Sequence, residues 1–251
     1  MADASFSLIF PMAGQGARFG YQFKPFLRLD DELFIEAAVR PFRKWLGRLS
    51  GIYFVYLREQ ESAYGVSRQL AESFGGLPFH AIILEKPTAG PAETMSKAVE
   101  QVGIRGPAIV CDCDHSVEIE PLVRRLDQSP PPDCILPLWS LAGEDVKSWG
   151  VAGLGEGDRI LDIAEKKLPK RGEKFFGVIG CTWYRDIHDI ATRAAANGYH
   201  NLSEAVAALI AEGRTVVGVP LEHAELFGDP NRLSQTIDVR EQGLRPNPAS
   251  A

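Results

Sequence analysis

Residues 6–25 read FSLIFPMAGQGARFGYQFKP, an apolar run from Phe6 to Phe10 followed by a glycine-rich segment from Pro11 to Pro25. The apolar run is predicted to be a first buried strand, because short runs of large apolar residues bounded by Gly and Pro suit a strand covered on both faces. Helical periodicity resumes only near Phe34. The strand therefore empties into a long loop that carries Gly14, Gly16 and Gly20 together with Arg18 and Lys24. Bare backbone N–H groups beside two cations are suited to a chain of phosphates. The spacing excludes two familiar loops of this kind. A dinucleotide-binding turn needs Gly-x-Gly-x-x-Gly leading straight into a helix, whereas here three residues separate Gly16 from Gly20 and Lys24-Pro25 intervenes. A Walker loop needs Gly-Lys-Ser/Thr, which is absent.

Further strand-like runs follow at Ile52 to Leu57, His80 to Leu84 and Ala108 to Cys113. Helical patterns lie between and after them, at Phe34 to Leu46, Glu59 to Phe74, Ala92 to Val102 and Glu120 to Leu126. This alternation predicts an α/β fold, a doubly wound, mostly parallel or mixed sheet with helices on both faces. After Ser129-Pro130-Pro131-Pro132 the rhythm changes. Strands are expected at Cys134 to Ser140, Trp149 to Leu154, Arg159 to Ala164 and Phe175 to Tyr184, with Gly155 to Asp158 as a hairpin turn. Helices are expected at Asp186 to Ala196 and Leu202 to Glu212, the latter capped by Asn201 or Ser203. Thr215 to Pro220 reads as a last strand. Residues 1–240 are thus expected to form one domain, with a nucleotide-binding half to about residue 130 and an acceptor-binding half over 131–240. Residues 241–251 are expected to form a flexible tail.

Composition narrows the partners. The net charge of -6 argues against general nucleic-acid binding. The start lacks the basic and long apolar regions of a signal peptide, and nothing later approaches a membrane span, which gives cytoplasmic as the expected location. Four cysteines in 251 residues do not make a disulfide framework. Cys111-x-Cys113, with His115 at the same alternation, reads either as a metal set or as small apolar residues of a strand, and the second reading is favoured.

Besides the opening loop, two constellations carry candidate chemistry. Asp112 and Asp114 end the fourth strand, and the carboxyl ends of strands in an open sheet line the ligand crevice. Both acids share a face if the strand continues, and one of them suits a Mg²⁺ ion that bridges carboxylate and phosphate. The second is Glu165-Lys166-Lys167, which is a solvated charge run unless it faces the crevice. Between them, Lys86 to Thr94 forms a loop entering a helix, with Pro91 and Glu93 suited to a helix start.

In this order, the motifs resemble those of the sugar-1-phosphate nucleotidyltransferases, and most closely the branch associated with capsule and lipopolysaccharide genes. IFPMAGQGARFGYQFKPFL is similar to that branch's phosphate loop, PTAGPAETM to its base-contacting stretch, and VCDCDHSVEI to its strand-end Asp. SWGVAGLGEGDRILDIAEKK is similar to the segment with its second lysine, and ELFGDPNRL to its closing motif. The likeness covers roughly residues 6–235. It implies a Rossmann-like nucleotide-diphospho-sugar transferase architecture and transfer of a nucleotide from a nucleoside triphosphate to a sugar 1-phosphate, with release of pyrophosphate. It also implies Mg²⁺ as cofactor, a role in surface polysaccharide synthesis and a tendency toward homo-oligomers.

Carried over by position, Arg18, Lys24 and Lys166 would be catalytic. Ala13, Gly14, Gln15, Gly16, Gly90, Pro91, Glu93 and Thr94 would bind the nucleotide. Asp114 would ligate the metal, with Asp112 or Glu225 as a candidate second ligand. Ala17 stands where the family has a hydroxyl residue, a loss of about 0.5 to 1.5 kcal/mol for one phosphate hydrogen bond. Leu226 stands where many members have a second metal-binding Asp, and Asp229 where they have Thr. Two other readings remain open: a cytidylyltransferase acting on a non-sugar phosphate or phosphonate, and a nucleotide-binding protein without turnover. Trp183 and His188 lie in the acceptor half, and an aromatic residue in a strand belongs more often to the core.

Overall fold

The structure is a computed structural model that describes residues 5–242. Its first half contains strands β1 (Phe6–Pro11), β2 (Arg28–Leu29), β3 (Glu32–Leu33), β4 (Leu49–Leu57), β5 (Phe79–Leu84), β6 (Ala108–Cys111) and β7 (His115–Val117). The helices there are α1 (Phe34–Val39), α2 (Arg58–Tyr64), α3 (Val66–Phe74), α4 (Pro91–Val102) and α5 (Glu120–Leu126). The second half contains β8 (Cys134–Ser140), β9 (Gly150–Leu154), β10 (Ile160–Glu165), β11 (Lys174–Val178), β12 (Cys181–Tyr184), β13 (Val216–Pro220) and β14 (Ala224–Leu226). Its helices are α6 (Ile187–Asn197), α7 (Leu202–Ala211) and α8 (Pro230–Glu241). None of the described helices is long and apolar enough to cross a membrane.

Ten strands form one mixed sheet in the order β10-β9-β11-β8-β12-β6-β1-β4-β5, with β13 pairing β8. The four strands β6, β1, β4 and β5 are mutually parallel. The path from β6 through β12, β8, β11, β9 and β10 is antiparallel. The α/β class and mixed sheet agree with the sequence reading, and parallel pairing is concentrated where strands and helices alternate.

Strand alternation divides the core into two layers. Phe6, Leu8 and Phe10 of β1 join Ile52, Phe54 and Tyr56 of β4 under Val39, Phe42, Leu70 and Phe74. On the other face, Ile9 and Val55 pack with Met95 of α4, Ile190 of α6 and Leu209 of α7. Strand β1 has five buried residues in sequence, from Phe6 to Phe10. Its four apolar side chains, Phe6, Leu8, Ile9 and Phe10, each contribute about 1.5 to 3 kcal/mol of burial energy, so the sheet is fixed at the strand that feeds the glycine loop.

Three expected elements divide in the structure, each at a residue with an identifiable effect. The helix expected over 59–74 breaks at Gly65, whose left-handed φ of 60° ends α2. The helix expected from Phe34 is α-helical only to Val39 and continues as a 3-10 segment over Arg40–Arg48, where Pro41 lacks the donor an α-helix requires. The strand expected over 175–184 splits at Ile179-Gly180, where the Gly180 carbonyl accepts from the Asp112 N–H at 2.6 Å. The strand expected to reach Cys113 ends at Cys111, so Asp112 and Asp114 lie in the following loop and strand alternation does not set their directions.

The short strands β2, β3, β7 and β14 and helix α8 were not anticipated. Strand β14 pairs with β7, and helix α8 follows it. Asp229 accounts for the start of α8: its carboxylate accepts from the Asn231 and Arg232 N–H groups at 3.0 and 3.1 Å, a helix cap where the resembling family has Thr. Asn201 is likewise the residue before α7. The Gly155 to Asp158 segment joins antiparallel β9 and β10, as expected. The proposed tail over 241–251 lies, beyond residue 242, outside the described residues.

The cap gives the first prediction. Asp229→Ala leaves two helix-start donors without their acceptor, and should lower unfolding free energy by about 0.5 to 2 kcal/mol in urea denaturation. An unchanged midpoint would contradict the capping assignment.

Candidate active site

The parallel arrangement of β1, β5 and β6 sends their following loops to one edge of the sheet. There they enclose a cleft of about 670 Å³ lined by residues 11–19, Lys24, Pro25, residues 87–91, Thr94, Asp112 to Asp114 and Gly228. Ala13, Gly14, Gln15, Gly16, Arg18, Lys24, Gly90, Pro91, Thr94, Asp112 and Asp114 are thereby brought together, as the sequence reading expects. Glu93, Lys166 and Glu225 are not among its lining residues.

Local geometry opens the glycine loop toward the cleft. Gly16 has a φ of 65°, and a Cβ there would overlap the Gln22 carbonyl oxygen, so both conformation and space require glycine. Its carbonyl accepts from the Phe19 N–H at 2.9 Å and from the Tyr21 N–H at 3.1 Å, folding the loop back on itself. Gln60, buried under the loop, donates from Nε2 to the Gly14 carbonyl at 3.0 Å. Its Oε1 accepts from the Leu57 N–H at 2.8 Å. With the carbonyls engaged below, the N–H groups of Gly14, Gln15 and Gly16 donate to no acceptor among the described residues. Arg18 is exposed on the same wall and has no carboxylate partner among the described residues.

Lys24 crosses the cleft. Its Nζ donates to Asp114 Oδ2 at 2.7 Å, and both side chains are largely covered, at 29% and 16% exposure. The other Asp114 oxygen, Oδ1, lies 3.4 Å from His115 Nδ1, and the Asp114 carbonyl accepts from the Phe227 N–H at 3.0 Å. A Cβ on Gly228 would stand 2.5 Å from Asp114 Oδ2, and one on Gly180 would overlap Asp112 Oδ2. Both carboxylates are therefore seated against glycines that a larger residue would displace.

Burial alone would raise the Asp114 carboxyl, but Lys24 and His115 hold it well below the usual carboxylate range, so it is ionised near neutral pH. Lys24 responds in the opposite sense: burial lowers it, yet Asp114 holds the ammonium above its ordinary value. Asp112 is pushed up, first by burial and then by the Asp114 charge. The donor set suits a hard divalent cation. Ligand atoms of Asp112, Asp114 and His115 lie within 4.8 Å of one another, and the two carboxylates offer the oxygens that Mg²⁺ prefers.

Glu225 does not fit as the second ligand. It lies on β14 opposite Ser116 of β7, and its carboxylate is held by Arg40 and by Arg240, the latter at 2.7 Å from Nε. It lines a separate groove with these arginines, Lys44 and His223. The correction follows from strand pairing: β14 aligns Leu226 with His115 and Glu225 with Ser116, which carries Glu225 away from Asp114. Asp112 is the carboxylate that shares the cleft.

Glu93 also has a local role. Its carboxylate accepts from the Ala89 N–H at 2.6 Å and pairs with Lys97 at 2.7 Å, bracing the loop at the start of α4. Thr94 Oγ1 is 2.6 Å from Thr88 Oγ1 and donates to the Gly90 carbonyl at 3.1 Å. Lys166 is exposed, with a φ of 57°, and its N–H donates to the Trp149 carbonyl at 2.8 Å. It follows Glu165, which lines a second cavity of about 230 Å³ with Trp149, Ser203 and Asn201. That cavity shares Pro91 and Asp112 with the first. Trp183 is buried in the core. Cys111 and Cys113 are buried core residues, with Cys111 Sγ 3.6 Å from His115 Nε2 beneath Asp114.

Gln60 and Gly180 were not singled out by the sequence reading, and Gly228 entered it only within the closing stretch ELFGDPNRL. Gln60 looks like any polar residue near a helix start. The place of each glycine against a carboxylate is visible only once the contact is known.

No family model matches the chain, and no curated protein matches it. Solved structures do match across nearly the whole length. A UDP-glucose pyrophosphorylase complexed with UDP-glucose has a TM-score of 0.74 at 17% identity, covering 95% of this chain and 99% of the other. A putative glucose-1-phosphate thymidylyltransferase from Bacillus anthracis, in complex with a sucrose, has a TM-score of 0.74 at 19% identity, with 94% and 95% covered. HddC from Yersinia pseudotuberculosis, complexed with GMP-PN, has a TM-score of 0.68 at 14% identity, with 93% and 98% covered. The chain has the fold of these pyrophosphorylase and nucleotidyltransferase structures.

Proposed function

We propose that the protein is a nucleotidyltransferase that joins a nucleoside triphosphate to a sugar 1-phosphate, releasing pyrophosphate and a nucleotide sugar used for surface polysaccharides. The observation that carries this reading is the convergence of the open glycine loop, Lys24 and the Asp112–Asp114 pair in one cleft. The fold likeness supports it, and the ordered sequence motifs supply the substrate class.

In the reaction, an oxygen of the sugar phosphate attacks the α-phosphorus in line, and the bond to the pyrophosphate oxygen breaks. Attack of one anion on another is limited by charge more than by proton transfer. The N–H groups of Gly14 to Gly16 bind the triphosphate, Arg18 and Lys24 offset its charge, and the Gly90 to Thr94 segment borders the nucleoside. Asp114 and Asp112 hold Mg²⁺, which supplies further charge neutralisation when bound. The second cavity, sharing Asp112 and Pro91 with the first, receives the acceptor. Lys166, next in sequence to Glu165 of that cavity, is the residue assigned to the acceptor phosphate by the motif resemblance.

Purified protein incubated with Mg²⁺, the common triphosphates and a panel of sugar 1-phosphates should release pyrophosphate and form a nucleotide sugar detectable by mass spectrometry. Absence of pyrophosphate across every combination would remove the catalytic reading. Within an active pair, Asp114→Asn should lower kcat by at least about a hundredfold, the scale of losing one charge-organising group. Glu225→Gln should leave kcat close to wild type while lowering stability by about 1 kcal/mol, since it only weakens the ion pairs with Arg40 and Arg240. A comparable loss of kcat in both variants would contradict the placement of Glu225 outside the site.

A further inference from the structure

The Lys24–Asp114 contact joins two groups that the proposed reaction uses separately, one for phosphate and one for metal. The ammonium sits on Asp114 Oδ2 at 2.7 Å, while Oδ1 faces His115. Gly228, which lines the cleft, lies against the same Oδ2, so Oδ2 is the oxygen on the cleft side and Lys24 covers it.

We infer that Lys24 is a built-in counter-cation that makes divalent-metal binding at Asp114 conditional on the arrival of the triphosphate. This inference rests on the nucleotidyltransferase reading and assigns a mode of regulation to the same site. A divalent ion arriving alone must displace an ammonium from a largely covered carboxylate, and the displaced charge remains in the cleft beside the ion. Like charges held close together oppose binding strongly where water is scarce. A triphosphate changes this balance because its oxygens offer Lys24 a second anionic partner. Lys24 then leaves Oδ2 as the metal takes it, and no charge is left unpaired.

By linkage, metal and triphosphate each raise the other's affinity through this exchange. The arrangement also explains why the position needs a long flexible cation. Lys24 opens a short 3-10 turn with Pro25 behind it, so the backbone is fixed while the side chain can swing. Arg18, on the same loop but without a carboxylate partner among the described residues, contributes positive charge without covering Asp114.

The test is Mn²⁺ binding without nucleotide, followed by electron paramagnetic resonance, for wild type, Lys24→Met, Lys24→Gln, Arg18→Met and Asp114→Asn. Thermal unfolding confirms that each variant is folded. Both Lys24 variants should bind Mn²⁺ at least about tenfold more tightly than wild type, within the usual range of coupling between sites. Arg18→Met should change affinity by less than about threefold, and Asp114→Asn should lose the site. Adding a non-hydrolysable triphosphate analogue should tighten Mn²⁺ binding to wild type by a larger factor than to Lys24→Met.

Unchanged or weaker Mn²⁺ binding in both folded Lys24 variants would overturn the inference, as would an equal gain in Arg18→Met. If wild type bound no Mn²⁺ even with the analogue, the metal-dependent reading itself would fall, and the inference with it.

Discussion

The site depends on an ion pair between residues 90 positions apart. Lys24 follows β1 and Asp114 follows β6, and they meet because β1 and β6 are parallel neighbours with Ser7 opposite Ala108. Parallel neighbours deliver their carboxyl ends to the same edge, so the crossover through β4, β5 and α4 is what brings the two loops together. The pair then neutralises a carboxylate that burial alone would disfavour. Fold and site are thus linked through one contact: the sheet order creates it, and the contact lets an acid remain charged at the base of the cleft.

Around that pair, the protein uses backbone more than side chains. Gly16 is fixed by its φ and by the Gln22 carbonyl, Gly180 by Asp112, and Gly228 by Asp114. Gly180 and Gly228 leave room for the two carboxylates, and Gly16 leaves room for the backbone carbonyl on which the loop folds. Gln60 holds the underside of the loop through the Gly14 carbonyl, which leaves the N–H groups above it facing the cleft. A surface of this kind reads charge and shape, in keeping with the proposed nucleotidyl transfer, in which phosphate electrostatics would dominate.

Much of this was legible in the sequence for physical reasons. Runs such as Phe6 to Phe10 and Ile52 to Leu57 are apolar enough to require burial on both faces, and their alternation with helical patterns fixed the class. The glycine loop was legible because its spacing excluded the common alternatives. Other features were hidden. Whether Asp112 and Asp114 would share a strand face depended on where β6 ended, and it ends at Cys111. Glu225 looked like a substitute ligand until the pairing of β14 with β7 placed it beside Arg40 and Arg240. Asp229 departed from the family motif without an evident reason, and the structure supplies one in the cap of α8. The end of β6 and the pairing of β14 are long-range facts, and local pattern carries no information about them. The cap is local, but it is recognisable only once α8 is known to begin there.

The central claim is that this cleft binds a triphosphate through the Gly14 to Gly16 backbone and Lys24, with the metal on Asp114. A crystal structure with a nucleoside triphosphate analogue and Mg²⁺ tests it most directly. The account predicts phosphate oxygens within hydrogen-bonding distance of those N–H groups, the metal on Asp114 Oδ2, and Lys24 Nζ moved from Asp114 to a phosphate. A nucleotide bound elsewhere, or a triphosphate in the cleft with Lys24 still on Asp114 and no metal contact there, would contradict it.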